Sequence, residues 1–345
     1  MHPKPLCMAR PRKNSTPAVR CFDCTGHTRI HHMGLRGEHP AHKGGSLMEL
    51  HYYRSERGNF GDDLNPQFFE AVCPDYKKIK GNKLIGIGTL LNGSINSLND
   101  SIVFGSGYGQ GNPANVGAQI KILGVRGPLT AMSIGHDPAG SIVMGDPALL
   151  LPKLPGFNNG IAATNKKYVI ALHHRTAEFW DFRNAGGGSF YYLDPALKPL
   201  NSYIETIKQA DLVLAESLHA AILAAAYGIP FIRVKLLGIV DETKWLDFYL
   251  SLKIDSLPIP LALPTPGRRP SRRLLLGLIS RNKVPQSTFK YLYSPLSESS
   301  IDAIESHAMR AIDLGRLTVA PTKQLELLQG RIAKAAEILL SMPRR

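Results

Sequence analysis

The stretch Ala210–Val234, ADLVLAESLHAAILAAAYGIPFIRV, decides the fold of the second half of the chain. Two short apolar runs, Leu212–Ala215 and Phe231–Val234, predict strands, and the alanine-rich run His219–Tyr227 between them predicts a helix. Strand, turn, helix and strand in this order are the repeating unit of a parallel α/β sheet. His219 falls at or near the helix N-terminus, where backbone N–H groups and the helix dipole favour an anion. The sequence leaves two roles open for it: a catalytic residue, or a hydrogen-bonded histidine packed under the helix.

Length and charge restrict the class of protein. The chain has 345 residues, of which 43% are hydrophobic, enough for two domains, and its formal net charge is +14. A basic protein attracts phosphate-bearing small molecules, nucleic acid or an anionic membrane surface. Basic and aromatic residues do not alternate as in RNA-binding proteins, so no nucleic acid is expected. No apolar run approaches the roughly 18 residues of a membrane span, so no transmembrane helix is expected.

Residues 1–47 differ in composition from the rest of the chain. They are rich in Pro, His, Arg and Cys, lack periodicity, and are predicted to be a disordered N-terminal extension, with Met48 as a candidate true start. Cys21 and Cys24, with the histidines that follow them, could bind zinc, but a fourth ligand at the usual spacing is absent. This region also lacks the apolar core of a secretory signal peptide. Beyond residue 47 only Cys73 remains, which indicates a reducing cytoplasm.

Strands and helices alternate from Met48 onward, which predicts an α/β fold of two units. The first unit spans 48–155, the second spans 165–290, and the C-terminal helices span 291–345. The Pro- and Gly-rich stretch 151–166 is the expected linker. Strands are predicted at 50–53, 83–87, 101–105, 119–125, 141–144, 167–172 and 191–193, besides the two above. Helices are predicted at 64–72, 128–133, 201–209, 243–252, 300–312 and 322–340.

Glycine-rich turns follow several strands, where a parallel sheet binds its ligands. In the turn Gly58–Asp63, Asp62 or Asp63 either caps the helix predicted from Leu64 or handles a proton or a hydroxyl group. The cluster Ser106–Gly111 could cradle a phosphate through backbone N–H groups, although glycines also serve any tight turn.

Other polar residues at strand ends carry the same ambiguity. Arg126 could hold a phosphate or carboxylate with two parallel hydrogen bonds, or form a surface ion pair. Asp146, in Gly-Asp-Pro, could be functional or complete a turn. His173, His174 and Arg175 end a strand on the expected ligand side, where one of the three is expected to face a site. Lys244 is either a solvated residue at a helix start or a ligand-binding cation.

Taken together, these residues resemble the polysaccharide pyruvyl transferase family, in particular its succinoglycan-type exopolysaccharide ketal pyruvyltransferases. The resemblance covers about 50–252. It lies in the order of five motifs: Asn59-Phe60-Gly61-Asp62, Arg126, Gly145-Asp146-Pro147, Ser217-Leu218-His219 with Gly228-Ile229-Pro230, and Lys244. Two positions depart from the family pattern: no arginine stands beside His219, and Gly127 replaces an acid often found after the arginine. Arg175, Arg233 and Lys235 are the candidates to replace the missing cation.

The resemblance implies two Rossmann-like domains in a GT-B-like arrangement, with the site in the interdomain cleft. It implies transfer of the enolpyruvyl carbons of phosphoenolpyruvate to two hydroxyls of one sugar, with release of phosphate. His219, with a pKa near neutral, would protonate the donor methylene. Asp62 would bind or deprotonate the sugar hydroxyl, and Arg126 would stabilise the donor. The expected substrate-binding residues are Asn59, Gly61, Asp146, Arg175, Ser217 and Lys244. This chemistry demands no metal and no cofactor beyond the donor.

The acceptor implied by the resemblance is a polyprenyl-linked oligosaccharide at the inner face of a bacterial membrane. The protein would then be cytoplasmic or peripheral at the inner membrane, with the basic loop Gly267–Arg273 a candidate for membrane contact. Two alternatives remain: a GT-B nucleotide-sugar glycosyltransferase, for which Glu216 is the obvious ribose ligand, and a non-catalytic protein that binds anionic polysaccharide or nucleic acid.

Overall fold

The computed structural model describes residues 47–93, 99–109, 111–114, 116, 119–182, 185, 188–236, 241–254, 260–264 and 298–344. The predicted extension 1–47 lies outside the described residues except for Leu47. The possible zinc ligands Cys21 and Cys24 and the basic loop 267–273 also lie outside them. The chain from Gly45 to Arg345 forms one compact unit.

Within the described residues, nine strands form two sheets whose strands are all parallel. The first sheet has the order β1-β2-β3-β4, and the second has the order β6-β5-β7-β8-β9. The first contains β1 (Glu49–His51), β2 (Lys83–Ile85), β3 (Ile102–Phe104) and β4 (Lys121–Gly124). The second contains β5 (Tyr168–Ala171), β6 (Phe190–Leu193), β7 (Leu212–Ala215), β8 (Phe231–Lys235) and β9 (Leu261–Ala262).

Eight α-helices accompany these strands in the described residues. They are α1 (Phe60–Val72), α2 (Pro128–Ser133), α3 (His174–Phe179), α4 (Leu200–Lys208), α5 (Leu218–Tyr227), α6 (Glu242–Ser251), α7 (Glu298–Asp313) and α8 (Thr322–Leu340). Two 3₁₀ helices span Tyr76–Lys78 and Pro147–Lys153. The predicted α/β class is therefore confirmed. No helix of the described residues is long and apolar enough to span a bilayer.

The strand–helix–strand unit at Ala210–Val234 forms the centre of the second sheet. All four residues of β7 are buried, as expected for a parallel strand covered on both faces. Helix α5 buries its alanine-rich body against β7, β8, α4 and the 3₁₀ helix Pro147–Lys153. Its small side chains permit these close contacts. The helix ends at Gly228, whose φ of 73° lies in the left-handed region that favours glycine.

Three local predictions were wrong. Helix α1 begins at Phe60 and not at Leu64, so Asp62 and Asp63 lie in its first turn. Its N-cap is Asn59, whose backbone N–H donates to Asp63 Oδ2 at 3.1 Å. The stretch 141–144 forms no strand, and only Val143 makes a parallel bridge, with Val125. Helix α3 begins at His174, where the end of a strand was expected.

The C-terminal helix α8 packs against the first half of the chain. Its buried residues Leu328 and Ile332 belong to the main core, and Gln329 Nε2 donates to the Leu149 oxygen at 2.9 Å. Arg331 donates to the Val143 oxygen at 2.6 Å. The last helix therefore anchors the segment Pro147–Lys153, and Asp146 immediately precedes that segment.

Candidate active site

The candidate site is built from side chains that follow strands β1, β4, β7 and β8. Parallel strands present their carboxyl ends at one edge of a sheet, so residues that are distant in sequence meet there. We call five of these residues the His219 cluster, because their charges act on one another: Asp62, Arg126, Asp146, His219 and Lys244. The structure thus brings together the three predicted catalytic residues and two of the predicted substrate-binding residues.

His219 lies in the first turn of α5 and packs against the first turn of α1. A Cβ atom built on Gly61 would lie only 1.8 Å from His219 Nδ1, so the imidazole occupies the space that any side chain there would need. Asp62, the next residue, is 8% exposed, and its Oδ2 accepts a hydrogen bond from Asn59 Nδ2 at 2.6 Å. Asn59 therefore orients Asp62, and Gly61 makes room for His219.

The two neighbouring acids of α1 have different environments. Asp63 bonds the N-cap amide and pairs with Lys198 Nζ at 2.8 Å. The N-cap is Asn59, so Asp62 does not have that role. The charge of Asp62 acts on His219 and Lys244, and burial raises the pKa of its carboxyl. The capping alternative therefore describes Asp63, while Asp62 belongs to the cluster.

Asp146 and His219 approach each other through atoms that have no hydrogen-bond partner. Asp146 Oδ2 lies 3.9 Å from His219 Nε2, and both atoms are buried. The other oxygen of Asp146 accepts the Ala148 N–H at 3.0 Å and so caps the 3₁₀ helix. Burial raises the pKa of Asp146 to about 6, because the charged form loses its hydration. Oδ1 of Asp146 therefore completes the turn, which was one of the two interpretations of this residue, while Oδ2 faces His219.

The pKa of His219 differs from the near-neutral value expected for a general acid. Burial lowers it to about 4, with smaller contributions from Arg126 and Lys244, while Asp62 acts in the opposite direction. The side chain is 15% exposed. The imidazole is consequently neutral at pH 7 in this structure, and only added negative charge nearby would protonate it.

Arg126 is buried and held on three sides. Its side chain donates to Asp247 Oδ2 at 3.3 Å, to Thr89 Oγ1 at 3.1 Å and to the Tyr108 oxygen at 2.7 Å. With 1% exposure it forms a buried ion pair and not the surface pair considered above. A Cβ on Gly107 would lie 2.1 Å from its guanidinium carbon, so this glycine provides space for the arginine.

Asp247 is a residue that the sequence interpretation missed. It lies on α6, is fully buried, and accepts the Thr130 N–H and hydroxyl besides Arg126. Its Oδ1 lies 2.2 Å from where a Cβ on Gly127 would stand. Gly127 stands where an acid is often found in the family pattern, and Asp247 places its carboxylate in the space beside this glycine. In the sequence, the available signal was that Asp247 is the single acid of the helix predicted at 243–252.

Lys244 is a half-buried cation that no described residue pairs with. Burial lowers the pKa of its ammonium group, and Arg126 lowers it further, whereas Asp241 and Asp62 act in the opposite direction. Its charge also lowers the pKa values of His173 and His174. Lys244 is therefore not the solvated residue at a helix start that was one of its two interpretations.

The histidine pair after β5 borders the same cations. The rings of His173 and His174 lie 4.2 Å apart, and burial lowers the pKa of His174 to about 3. Arg175 is paired with Glu178 at 3.0 Å. Ser217, the N-cap of α5, is buried, and its backbone N–H donates to the Ala171 oxygen at 3.1 Å, but its side chain makes no capping bond.

The remaining candidate cations have partners outside the cluster. Arg233 and Lys235 both bind the carboxylate of Glu242, and the Arg233 guanidinium also stacks on Trp245. Among the described residues, no three His, Cys, Asp or Glu side chains converge as metal ligands.

Comparison with known proteins identifies the family of this chain. The family model of polysaccharide pyruvyl transferase matches residues 56–235, a range that includes all of the His219 cluster except Lys244. The succinoglycan biosynthesis protein ExoV of Rhizobium meliloti (strain 1021) is 32% identical over 215 residues, which are 61% of this chain and 67% of that protein. No solved structure matches this chain. The chain belongs to the polysaccharide pyruvyl transferase family and is therefore a transferase.

Proposed function

We propose that this protein transfers the pyruvyl group of phosphoenolpyruvate to two hydroxyls of one sugar of an exopolysaccharide repeat unit, as a cyclic ketal, with release of phosphate. Family membership supports the group transferred, and the name of the ExoV relative supports an exopolysaccharide acceptor. The donor, the lipid-linked form of the acceptor and the role of each residue are parts of the proposal.

One observation carries it: a half-buried histidine with carboxylates nearby, next to two cations, one buried and one half-buried. Phosphoenolpyruvate bears a carboxylate and a phosphate, so it would neutralise the charges of Arg126 and Lys244. The three hydrogen bonds that Arg126 makes to described residues leave guanidinium N–H groups for the ligand, and Lys244 has no partner among the described residues. The two cations thereby select a ligand with several negative charges.

Donor binding would also prepare the acid. His219 is neutral because burial and two cations lower its pKa. Anionic groups bound beside it would favour the imidazolium form and raise that pKa. His219 would then be protonated, and so able to act as an acid, only when the donor is bound.

The reaction balances with the residues of the cluster. His219 gives a proton to the donor methylene, which becomes the methyl group, and the electron pair of the double bond forms the new C–H bond. The adjacent carbon becomes electrophilic, and a sugar hydroxyl that Asp62 binds adds to it. Phosphate leaves with its bonding electrons, and the second hydroxyl closes the ketal. Of the two hydroxyl protons, one returns His219 to its protonated form and the other leaves with phosphate.

The proposed arrangement is GT-B-like, with 48–155 as the acceptor domain, 165–290 as the donor domain and the site in the cleft between them. Contacts across the two halves near the site support it. Phe60 N–H donates to the Pro195 oxygen at 2.7 Å, the Phe60 ring stacks on Tyr203, and Arg126 pairs with Asp247. We place the enzyme in the cytoplasm, at the inner face of the membrane, where lipid-linked acceptors are assembled.

The glycosyltransferase alternative loses its main residue. Glu216 is fully buried, and its two oxygens accept the backbone N–H groups of His173 and Leu236 at 3.0 and 2.9 Å. A carboxylate that bridges the ends of β5 and β8 has a structural role, so it is a poor candidate for binding a nucleotide ribose.

The decisive test incubates the purified full chain with phosphoenolpyruvate and a lipid-linked oligosaccharide extract. We expect phosphate release that requires acceptor, together with a ketal in the product by NMR. Release of nucleotide from a nucleotide sugar, without acceptor-dependent phosphate release, would contradict the proposal. His219→Ala is expected to lower the rate about 10²–10⁴-fold, the usual contribution of a general acid. Full activity of this variant would remove the acid assignment and would leave the reaction in place.

A further inference from the structure

The pair Asp146–His219 contains two buried polar atoms that no other group satisfies. Oδ2 of Asp146 and Nε2 of His219 face each other at 3.9 Å, and neither atom makes a hydrogen bond. Buried polar atoms without partners are rare in folded proteins and require an explanation. The separation lies within ion-pair range and beyond hydrogen-bond range, so the pair gains most when the ring is protonated.

We propose that Asp146 is the positioning residue of His219: through Nε2 it orients the imidazole and holds its imidazolium form, so that Nδ1 delivers the proton to the substrate. This inference rests on the proposed function. It gives Asp146 a role different from the substrate binding expected from the sequence.

The placement of the two ring nitrogens supports this division of roles. Nε2 faces a carboxylate that the 3₁₀ helix fixes, because the other oxygen of Asp146 caps that helix at Ala148 N–H. Nδ1 lies on the opposite side, against Gly61 in the first turn of α1. Asp62, the candidate ligand of the sugar hydroxyl, is the next residue. The nitrogen beside the proposed acceptor site is therefore the one that remains available for proton transfer.

Several charges act on this pair. Asp62 favours the imidazolium form of His219, whereas Arg126 and Lys244 oppose it. Arg126 favours the carboxylate form of Asp146, and Asp247 opposes it. A bound anionic donor would offset the two cations and leave Asp62 and Asp146 as the protein charges nearest the ring. We therefore expect donor binding to draw one proton from solvent onto the pair. That proton then moves from Nδ1 to the donor methylene and is replaced by a hydroxyl proton of the acceptor.

Proton uptake on donor binding tests the inference without turnover. Calorimetric titration of the full chain with phosphoenolpyruvate at pH 7.5, in two buffers of different ionisation enthalpy, gives the protons taken up per donor bound. We expect about one proton in the wild type, as linkage requires when a pKa rises through the working pH. In Asp146→Asn we expect clearly fewer, with the donor Kd changed less than about threefold, since the cations that bind it remain.

The negative charge of Asp146 should also determine how kcat depends on pH. Removing a negative charge beside His219 lowers the pKa of the imidazolium in the donor complex. The basic limb of the kcat–pH profile should therefore move to lower pH, and kcat should fall about 100-fold at pH 7.5. Asn keeps an oxygen for the Ala148 N–H, so the cap survives. Asp146→Ser, which also caps well, must give the same loss if the effect is electrostatic.

The matched control is Asp137→Asn. Asp137 Oδ1 accepts the Ala139 N–H at 2.9 Å in the same local pattern, but it lies on an exposed turn. This variant should keep the wild-type proton uptake and pH profile. Unchanged proton uptake and an unchanged basic limb in both Asp146 variants would overturn the pairing while leaving the pyruvyl transfer intact. Failure of the wild type to bind phosphoenolpyruvate would instead contradict the proposed function.

Discussion

At the scale of single residues, the site depends on one imidazole ring held in a space that leaves no room for a side chain at position 61. His219 lies between the first turn of α1 and Asp146, and Gly61 is what allows this approach. The motif Asn59-Phe60-Gly61-Asp62 therefore has a physical reason at each polar or small position. Asn59 orients Asp62, Gly61 admits the ring, and Asp62 supplies negative charge beside it.

A methyl group at Gly61 should disable the site without unfolding α1. In Gly61→Ala the new Cβ would overlap the Nδ1 side of the His219 ring, so the imidazole must leave its position between α1 and Asp146. We expect kcat for acceptor-dependent phosphate release to fall about 100-fold, the scale lost when a general acid is misplaced. Gly330→Ala is the control, because that glycine is also helical and a Cβ there meets nothing within 4 Å. It should retain activity and gain about 0.5–1 kcal/mol of stability. Equal activity of the two variants would contradict this account.

At the scale of elements, α6 carries two residues that serve the site in different ways. Lys244, in its first turn, is a half-buried cation without a partner in the described part of the chain, and Asp247, one turn later, binds Arg126 and the N-terminal turn of α2. The helix thereby joins the second half of the chain to the arginine of the first half. Gly127 is required at the contact because Asp247 occupies the space beside it.

Truncation of Asp247 should destabilise the protein. In Asp247→Ala the buried guanidinium of Arg126 loses its counterion, and the Thr130 N–H loses its acceptor. Breaking a buried pair by removing one partner costs about 3–5 kcal/mol, which urea unfolding followed by circular dichroism would measure. Glu326→Ala, on the exposed side of α8, should change the free energy of unfolding by less than about 0.5 kcal/mol. A loss below about 1 kcal/mol in Asp247→Ala would show that Arg126 does not depend on this pair.

At the scale of the whole molecule, the fold holds three half-buried histidines together with acids and cations near the strand ends. His173 and His174 lie beside each other after β5, and His219 begins α5. Burial lowers the pKa of His219 to about 4 and that of His174 to about 3, and lowers that of His173 as well. The fold therefore disfavours the protonated form of these histidines, which makes folding stability depend on pH.

Stability should fall on acidification from pH 7.5 to pH 5. His219 and His174 stay neutral in the folded chain at pH 5 but are protonated below pH 6.5 when unfolded, so each costs roughly 2 kcal/mol there. The lowered pKa of His173 acts in the same direction. Asp146 acts in the opposite sense, because its raised pKa keeps a proton in the fold below about pH 6. Asp62 also opposes the loss, but three histidines outweigh two carboxyls. Urea midpoints at both pH values measure the net effect, and His174→Asn should reduce the difference.

The control for this prediction is His136→Asn, at an exposed position. It should leave the pH dependence of the urea midpoint unchanged. An equal midpoint at pH 5 and pH 7.5 in the wild type would contradict the neutral state of His219 and His174 in the fold.

The sequence by itself determined the class of fold, most of the elements and the identity of the central residues. Short apolar runs predicted the strands, and α2 and α8 have the predicted bounds. These features were readable because hydrophobic periodicity and turn residues act over a few positions of the chain. The same local signals failed at the start of α1 and at 141–144, where contacts with distant segments determine which residues are ordered into an element.

Only the tertiary structure decided which polar residues meet and what charge they carry. Sequence spacing could not pair Arg126 with Asp247, 121 positions away, or place Asp146 against His219. It also could not reveal that His219 is neutral, since the pKa of an imidazole is determined by the water it loses and the charges packed around it. The stretch Ala210–Val234 specifies its strands and helix locally, but the chemistry of its histidine comes from the other half of the fold.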